Sequence, residues 1–215
     1  MMKNYWLMSV ACLILANSAF AENFEHVVAK VKKSVVGVGI FDPLGSPRSQ
    51  LQGTGFAIGD GTLVATNFHV VERALEEGSQ QRRVVFIGTG NNPQISQAEI
   101  VKTDPAHDLA ILRIEQKVAD VLSLSTVGSL PDGRDVAFTG YPIGAVLGLY
   151  PATHKGMVAA TTPVVIPSAN AQQLSLEVLK RLREPFMVYQ LDATAYPGNS
   201  GSPVYDVKTG EVVAI

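Results

Sequence analysis

One cysteine among 215 residues, Cys12, leaves no pair for a disulfide, so packing and hydrogen bonds alone must hold the fold. Charge of one sign is also missing. Seventeen Lys and Arg against nineteen Asp and Glu give a net charge of −2, which supplies no basic footprint for nucleic acid. Charged residues are only 17% and hydrophobic ones 47%, which excludes a disordered chain. No apolar run is long enough to span a bilayer. The best, Trp6 to Ala16, would rise about 16 Å as a helix, roughly half of a hydrocarbon core. The four histidines, at 26, 69, 107 and 154, show no metal-ligand spacing, and the glycines follow no phosphate-binding pattern. Neither a metal nor an organic cofactor is expected.

The N-terminus carries an address. Met1-Met2-Lys3 is a short basic start, Trp6 to Ala16 an apolar centre, and Ala19-Phe20-Ala21 a small-residue cleavage site. Together these are the three parts of a secretory signal. Cleavage is expected after Ala21, with export to the periplasm or the extracellular space and no stable membrane insertion. Cys12 leaves with the leader; Ser9-Val10-Ala11-Cys12 lacks the leading Leu of a lipid-attachment site.

Past the leader, nineteen Gly and twelve Pro punctuate short runs rich in Val, Ile and Thr. The strand-like runs are Val35 to Phe41, Gly55 to Ile58, Leu63 to Thr66, Val84 to Ile87, Ala98 to Thr103 and Leu109 to Ile114. Val136 to Thr139, Met157 to Thr161, Phe186 to Leu191, Val204 to Val207 and Val212 to Ile215 follow. Phe24 to Lys33 reads as a helix, with Phe24, Val27, Val28 and Val31 on one face. Asn170 to Arg183 does the same with Leu174, Val178 and Leu182, and ends on the basic Lys180, Arg181 and Arg183. Such a helix packs on a sheet or, in an alternative reading, lies on a membrane surface. Many short strands and few helices define an all-β protein, barrel or sandwich.

Three segments carry chemistry. Thr66-Asn67-Phe68-His69-Val70-Val71 presents a histidine at a strand end. His107-Asp108-Leu109-Ala110 puts an acid at the head of an alternating strand, with Asp104 as a competing carboxylate that reads as turn chemistry and His107 as a solvated loop residue. Asp192 to Val204 holds Pro197-Gly198-Asn199-Ser200-Gly201-Ser202, a serine among small, turn-forming residues. Taken singly, each has a plain structural reading. Taken together they supply a nucleophile, a base and an orienting acid. An alcohol needs a base within hydrogen-bond reach, and an imidazole can take that proton and return it to a leaving amine. Successive N–H groups in a glycine turn can converge on one spot, which an oxyanion hole requires. The order His69, Asp108, Ser200 is one of the known chain orders of such a triad.

On these motifs the sequence resembles the trypsin-like (chymotrypsin-fold) serine peptidases of the HtrA/Deg type. Gln52-Gly53-Thr54-Gly55-Phe56, Thr66 to Val71, Asp108 to Leu112, Gly140-Tyr141-Pro142-Ile143-Gly144, Gly156-Met157-Val158 and Pro197 to Pro203 stand in the family's order. The resemblance implies two six-stranded antiparallel β-barrels, one within 22–125 and one within 126–215, with the active site between them. His69, Asp108 and Ser200 are then catalytic, and the N–H groups of Gly198 and Ser200 form the oxyanion hole. Thr194 and Pro197 fall at the substrate pocket. Thr194 is neutral, which argues against selection for Arg or Lys and leaves a small or medium apolar side chain. Polypeptides are the implied partners, in protein quality control; oligomeric state is left open.

Three departures stand out. Ser202 replaces the second glycine usual in HtrA-type enzymes and is also seen in glutamyl endopeptidase-like relatives. Val164 to Glu184 looks like an insertion. The chain ends at Ile215, so the second barrel is expected to be incomplete, with an exposed strand edge. That last departure motivates an alternative, a weakly active or inactive paralogue that binds peptides at a strand edge.

Overall fold

The computed structural model describes residues 24–142, 148–164 and 186–215. The expected leader, the expected helix over Asn170 to Arg183, and Ile143 and Gly144 lie outside them. Helix α1 covers 24–34. Strands β1 (Val35–Phe41), β2 (Ser49–Ile58) and β3 (Leu63–Asn67) follow, then the single-turn helix α2 (Phe68–Val71). Next come β4 (Arg82–Ile87), β5 (Gln94–Asp104), β6 (Leu109–Ile114) and β7 (Asp135–Gly140). β8 (Ala152–Pro163), β9 (Met187–Asp192), β10 (Val204–Asp206) and β11 (Val212–Ala214) complete the order.

The first six strands close into an antiparallel barrel, β1-β2-β3-β6-β5-β4, with β4 pairing back to β1. The other five form an antiparallel sheet in the order β11-β10-β7-β8-β9. The first barrel is the six-stranded one the resemblance implied, and the five-stranded half-barrel matches the expectation of an incomplete second barrel. Alternation drives it: in β6, Ala110, Leu112 and Ile114 are buried while Leu109 and Arg113 are exposed. β1 is different, because both its faces are covered. Val36 and Val38 point into the barrel core with Val64, Val85 and Leu112. Val35 joins a second cluster, with Val27 and Val31 of α1 and with Ala137, Tyr205 and Val212 of the half-barrel. This second cluster joins the two halves.

Several strands run longer than their apolar cores suggested. β2 starts at Ser49, where pairing with Phe41 recruits a polar stretch, and β8 starts at Ala152. The expected exposed edge of the second barrel also needs correction on one side. The connection between the halves runs beside β11: Val212 N–H donates to Ser123 O at 2.9 Å, and Ser125 N–H to Val212 O at 2.8 Å.

Candidate active site

β3 and β6 pair so that Asn67 lies opposite Leu109, which sets the end of one strand against the start of the other. Past Asn67 the chain turns into α2. Val70 and Val71 bury into the barrel core, and Arg83 of β4 holds the end of the turn by donating to Val71 O at 2.8 Å. His69 is left exposed on this turn, a helical start that strand periodicity did not foresee.

Asp108 precedes β6 with φ of 55°, a left-handed conformation that short polar side chains tolerate. It ends a tight turn in which His107 N–H donates to Asp104 O at 3.2 Å and Asp108 N–H to Pro105 O at 3.3 Å. Four donors converge on it. Its carbonyl takes Phe68 N–H at 3.0 Å and Asn67 Nδ2 at 2.9 Å. Its carboxylate takes His69 N–H at 2.9 Å and lies 2.7 Å from His69 Nδ1. An ionised carboxylate can only accept, so this pair calls for the ring proton on Nδ1.

Asp104 does not contact His69. Its carboxylate lies 2.7 Å from His107 Nδ1, and that hydrogen bond, ahead of other effects, holds its pKa below the ordinary carboxylate range. His107, read from sequence as a solvated loop residue, is thus partnered, and its ring also lies 4.6 Å from that of Phe186.

The serine turn connects β9 to β10. Gly198 and Gly201 both take positive φ, 99° and 83°. A side chain at 201 would also collide with Thr54 O and Thr66 Oγ1. Asn199 N–H donates to Tyr196 O at 3.1 Å and Ser202 N–H to Asn199 O at 2.9 Å, so two turns overlap around a half-buried Ser200. First-barrel residues grip this loop. Thr54 N–H donates to Ser200 O at 2.8 Å, Thr54 Oγ1 to Gly198 O at 2.7 Å, and Gly201 N–H to Asn67 Oδ1 at 2.7 Å. Asn67 therefore hydrogen-bonds the backbone of both the acid turn and the serine turn. No hydrogen bond among the described residues joins Ser200 Oγ to the His69 ring. Thr194 and Pro197 are exposed on the approach to the turn.

Thr54, Thr66 and Asn67 lie inside the sequence motifs, but nothing in their residue types points to a role. Ser202 is buried, and its hydroxyl has no hydrogen-bond partner in the described structure. Gly140 makes room for it: a Cβ there would fall on Ser202 Oγ.

A closed β-barrel and a half-barrel, with a His–Asp pair on the first and a Gly-Asn-Ser-Gly turn hydrogen-bonded to it from the second, define the chymotrypsin-like class. The family model of the trypsin-like peptidase domain matches residues 53–215, and the chain belongs to that family. A Pseudomonas putida (strain GB-1) protein named "Probable periplasmic serine endoprotease DegP-like" is 31% identical over 198 residues, 91% of this chain and 34% of that protein. One of the same name from Chlamydia trachomatis serovar D is 29% identical over 168 residues, 78% of this chain and 28% of that one. The chain thus spans about a third of these curated relatives' length. Among solved structures, Deg5 superposes with a TM-score of 0.65 at 26% identity, covering 91% of this chain and 84% of that one. The active form of the Rv3671c protease from M. tuberculosis superposes with a TM-score of 0.61 at 26% identity, covering 86% and 70%.

Proposed function

We propose that this chain is a serine endopeptidase that is exported to the periplasm and cleaves polypeptides, in protein quality control, through an acyl-enzyme on Ser200. The observation that carries the reading is the 2.7 Å His69–Asp108 pair, set on the barrel wall to which the serine turn is hydrogen-bonded. His69 Nε2 takes the Ser200 proton as Oγ attacks the scissile carbonyl. Asp108 keeps the imidazole in the required tautomer and stabilises its cationic form. The N–H groups of Gly198 and Ser200 receive the developing oxyanion. The proton then passes to the leaving amine, and a water activated by His69 hydrolyses the ester. The Ser200–His69 hydrogen bond forms when substrate closes the site; in substrate-free enzymes such bonds are often long.

Support comes from the family, from relatives named periplasmic serine endoproteases, and from a first barrel that grips the serine turn. A fluorophosphonate probe should label the wild type and not Ser200→Ala, and unfolded casein should be degraded only by the wild type. Equal labelling of both proteins refutes the nucleophile. Labelling without turnover favours the peptide-binding alternative.

A further inference from the structure

The Gly53-Thr54-Gly55 motif is left without a task by the triad, yet Thr54 is fully buried beneath the serine turn, where its N–H and hydroxyl are both engaged. Three successive peptide units make up that turn: Gly198–Asn199, Asn199–Ser200 and Ser200–Gly201. Of their six hydrogen-bonding groups, five have partners. Gly198 O takes Thr54 Oγ1 and Asn199 N–H reaches Tyr196 O. Asn199 O takes Ser202 N–H, Ser200 O takes Thr54 N–H, and Gly201 N–H reaches Asn67 Oδ1. The sixth, Ser200 N–H, is the one group without a partner among the described residues. Thr54 is itself fixed, since Thr66 Oγ1 donates to Thr54 O at 2.7 Å and Tyr141 N–H to Thr54 Oγ1 at 3.1 Å. Gly53 allows the approach; a Cβ there would stand 2.9 Å from Ser200 O.

We propose that Thr54 is the positioning residue of the oxyanion donor: its hydroxyl and its N–H lock the peptide units on either side of Asn199–Ser200 and so aim the free Ser200 N–H. The proposal rests on the reading of Ser200 as nucleophile. The hydroxyl is the decisive group. Valine fills the same space but leaves Gly198 O unpaired, and Gly198, at φ of 99°, is the residue in the turn best able to rotate. Charge on the substrate oxygen develops only in the transition state, so the loss falls on kcat and spares KM.

The test compares Thr54→Val and Thr54→Ser with wild type in the full chain, with a fluorogenic peptide for kinetics and amide hydrogen exchange at Tyr141 and Asn199. Thr54→Val should lower kcat on the order of 10–100-fold, less than the roughly 10²–10³-fold lost when a donor itself is removed. KM should stay within about twofold, and the two amides should exchange faster. Thr54→Ser should restore all three. A wild-type kcat in Thr54→Val, an equal loss in Thr54→Ser, or a KM that rises as kcat falls would each overturn the assignment. Should Thr54→Val not fold, Thr54→Ala replaces it, and a wild-type kcat there overturns it equally. If wild type is neither labelled at Ser200 nor active, the peptidase reading fails. Exchange then judges Thr54 alone, and unchanged protection in Thr54→Val rejects it.

Discussion

Asp108 holds its place through more than its carboxylate. Two donors sit on its carbonyl and two on its side chain, and all four come from Asn67, Phe68 and His69. An asparagine at 108 preserves the carbonyl contacts and can still accept from His69 N–H. Its amide, however, would donate to His69 Nδ1 and place the ring proton on Nε2. Asp108→Asn should therefore fold normally and lose on the order of 10⁴-fold in kcat, measurable by steady-state hydrolysis beside a melting curve. A second expectation concerns Gly140. Alanine there falls on Ser202 Oγ and crowds Asn199 Oδ1, so Gly140→Ala should cost about 1–3 kcal/mol by denaturant unfolding. Adding Ser202→Gly should recover a good part of that; no recovery would sink the proposed fit. His69, Asp108 and Ser200 could be proposed from sequence only as a set, because imidazole, carboxylate and hydroxyl together supply a base, an acid and a nucleophile in a known order. Thr54 and Asn67 were not readable. Thr54 acts on Gly198, 144 positions away, and Asn67 on Asp108, 41 away, both through backbone carbonyls that any residue carries.

The turn between β5 and β6 places Asp108, and its own clasp is the Asp104–His107 pair. Because the pair lowers the folded-state pKa of Asp104, it stabilises the folded chain above the unfolded carboxylate value of about 3.9, and the gain disappears as pH falls through the lower folded value. The difference in Tm between wild type and Asp104→Asn should thus be present at pH 6 and vanish toward pH 2. A difference that instead grows in acid would contradict the pairing. At this scale the sequence was legible where apolar residues alternate or run together: β6, dry on one face, kept its expected bounds, and β7, buried on both faces, grew by one residue at each end. It was less legible where pairing recruits polar residues, as in the first half of β2. The turn α2 was missed because its four residues are too few to show a helical period.

Across the whole molecule, the cleft exists only while the two halves stay docked, and buried tyrosines lie in the cluster that joins them. Tyr141 donates its hydroxyl to Val35 O at 3.2 Å, so the end of β7 is tied to the start of β1. Tyr205 meets Thr139 Oγ1 at 2.9 Å. Burial pushes the Tyr141 phenol up to about 12 and raises that of Tyr205 as well. Both shifts favour the neutral form in the folded state. Their contribution is therefore complete below the unfolded phenol value of about 10 and is lost as pH climbs from there toward the folded values. Phenylalanine at 141 forgoes the hydrogen bond, at about 1 kcal/mol near neutrality, but has no proton to lose. Urea midpoints should consequently fall between pH 9 and pH 11 more steeply for wild type than for Tyr141→Phe, and hydrolytic activity should fail together with the unfolding signal. Equal slopes for the two proteins would mean that the Tyr141 phenol reaches solvent in the folded chain and that its burial does not contribute to the alkaline loss of stability.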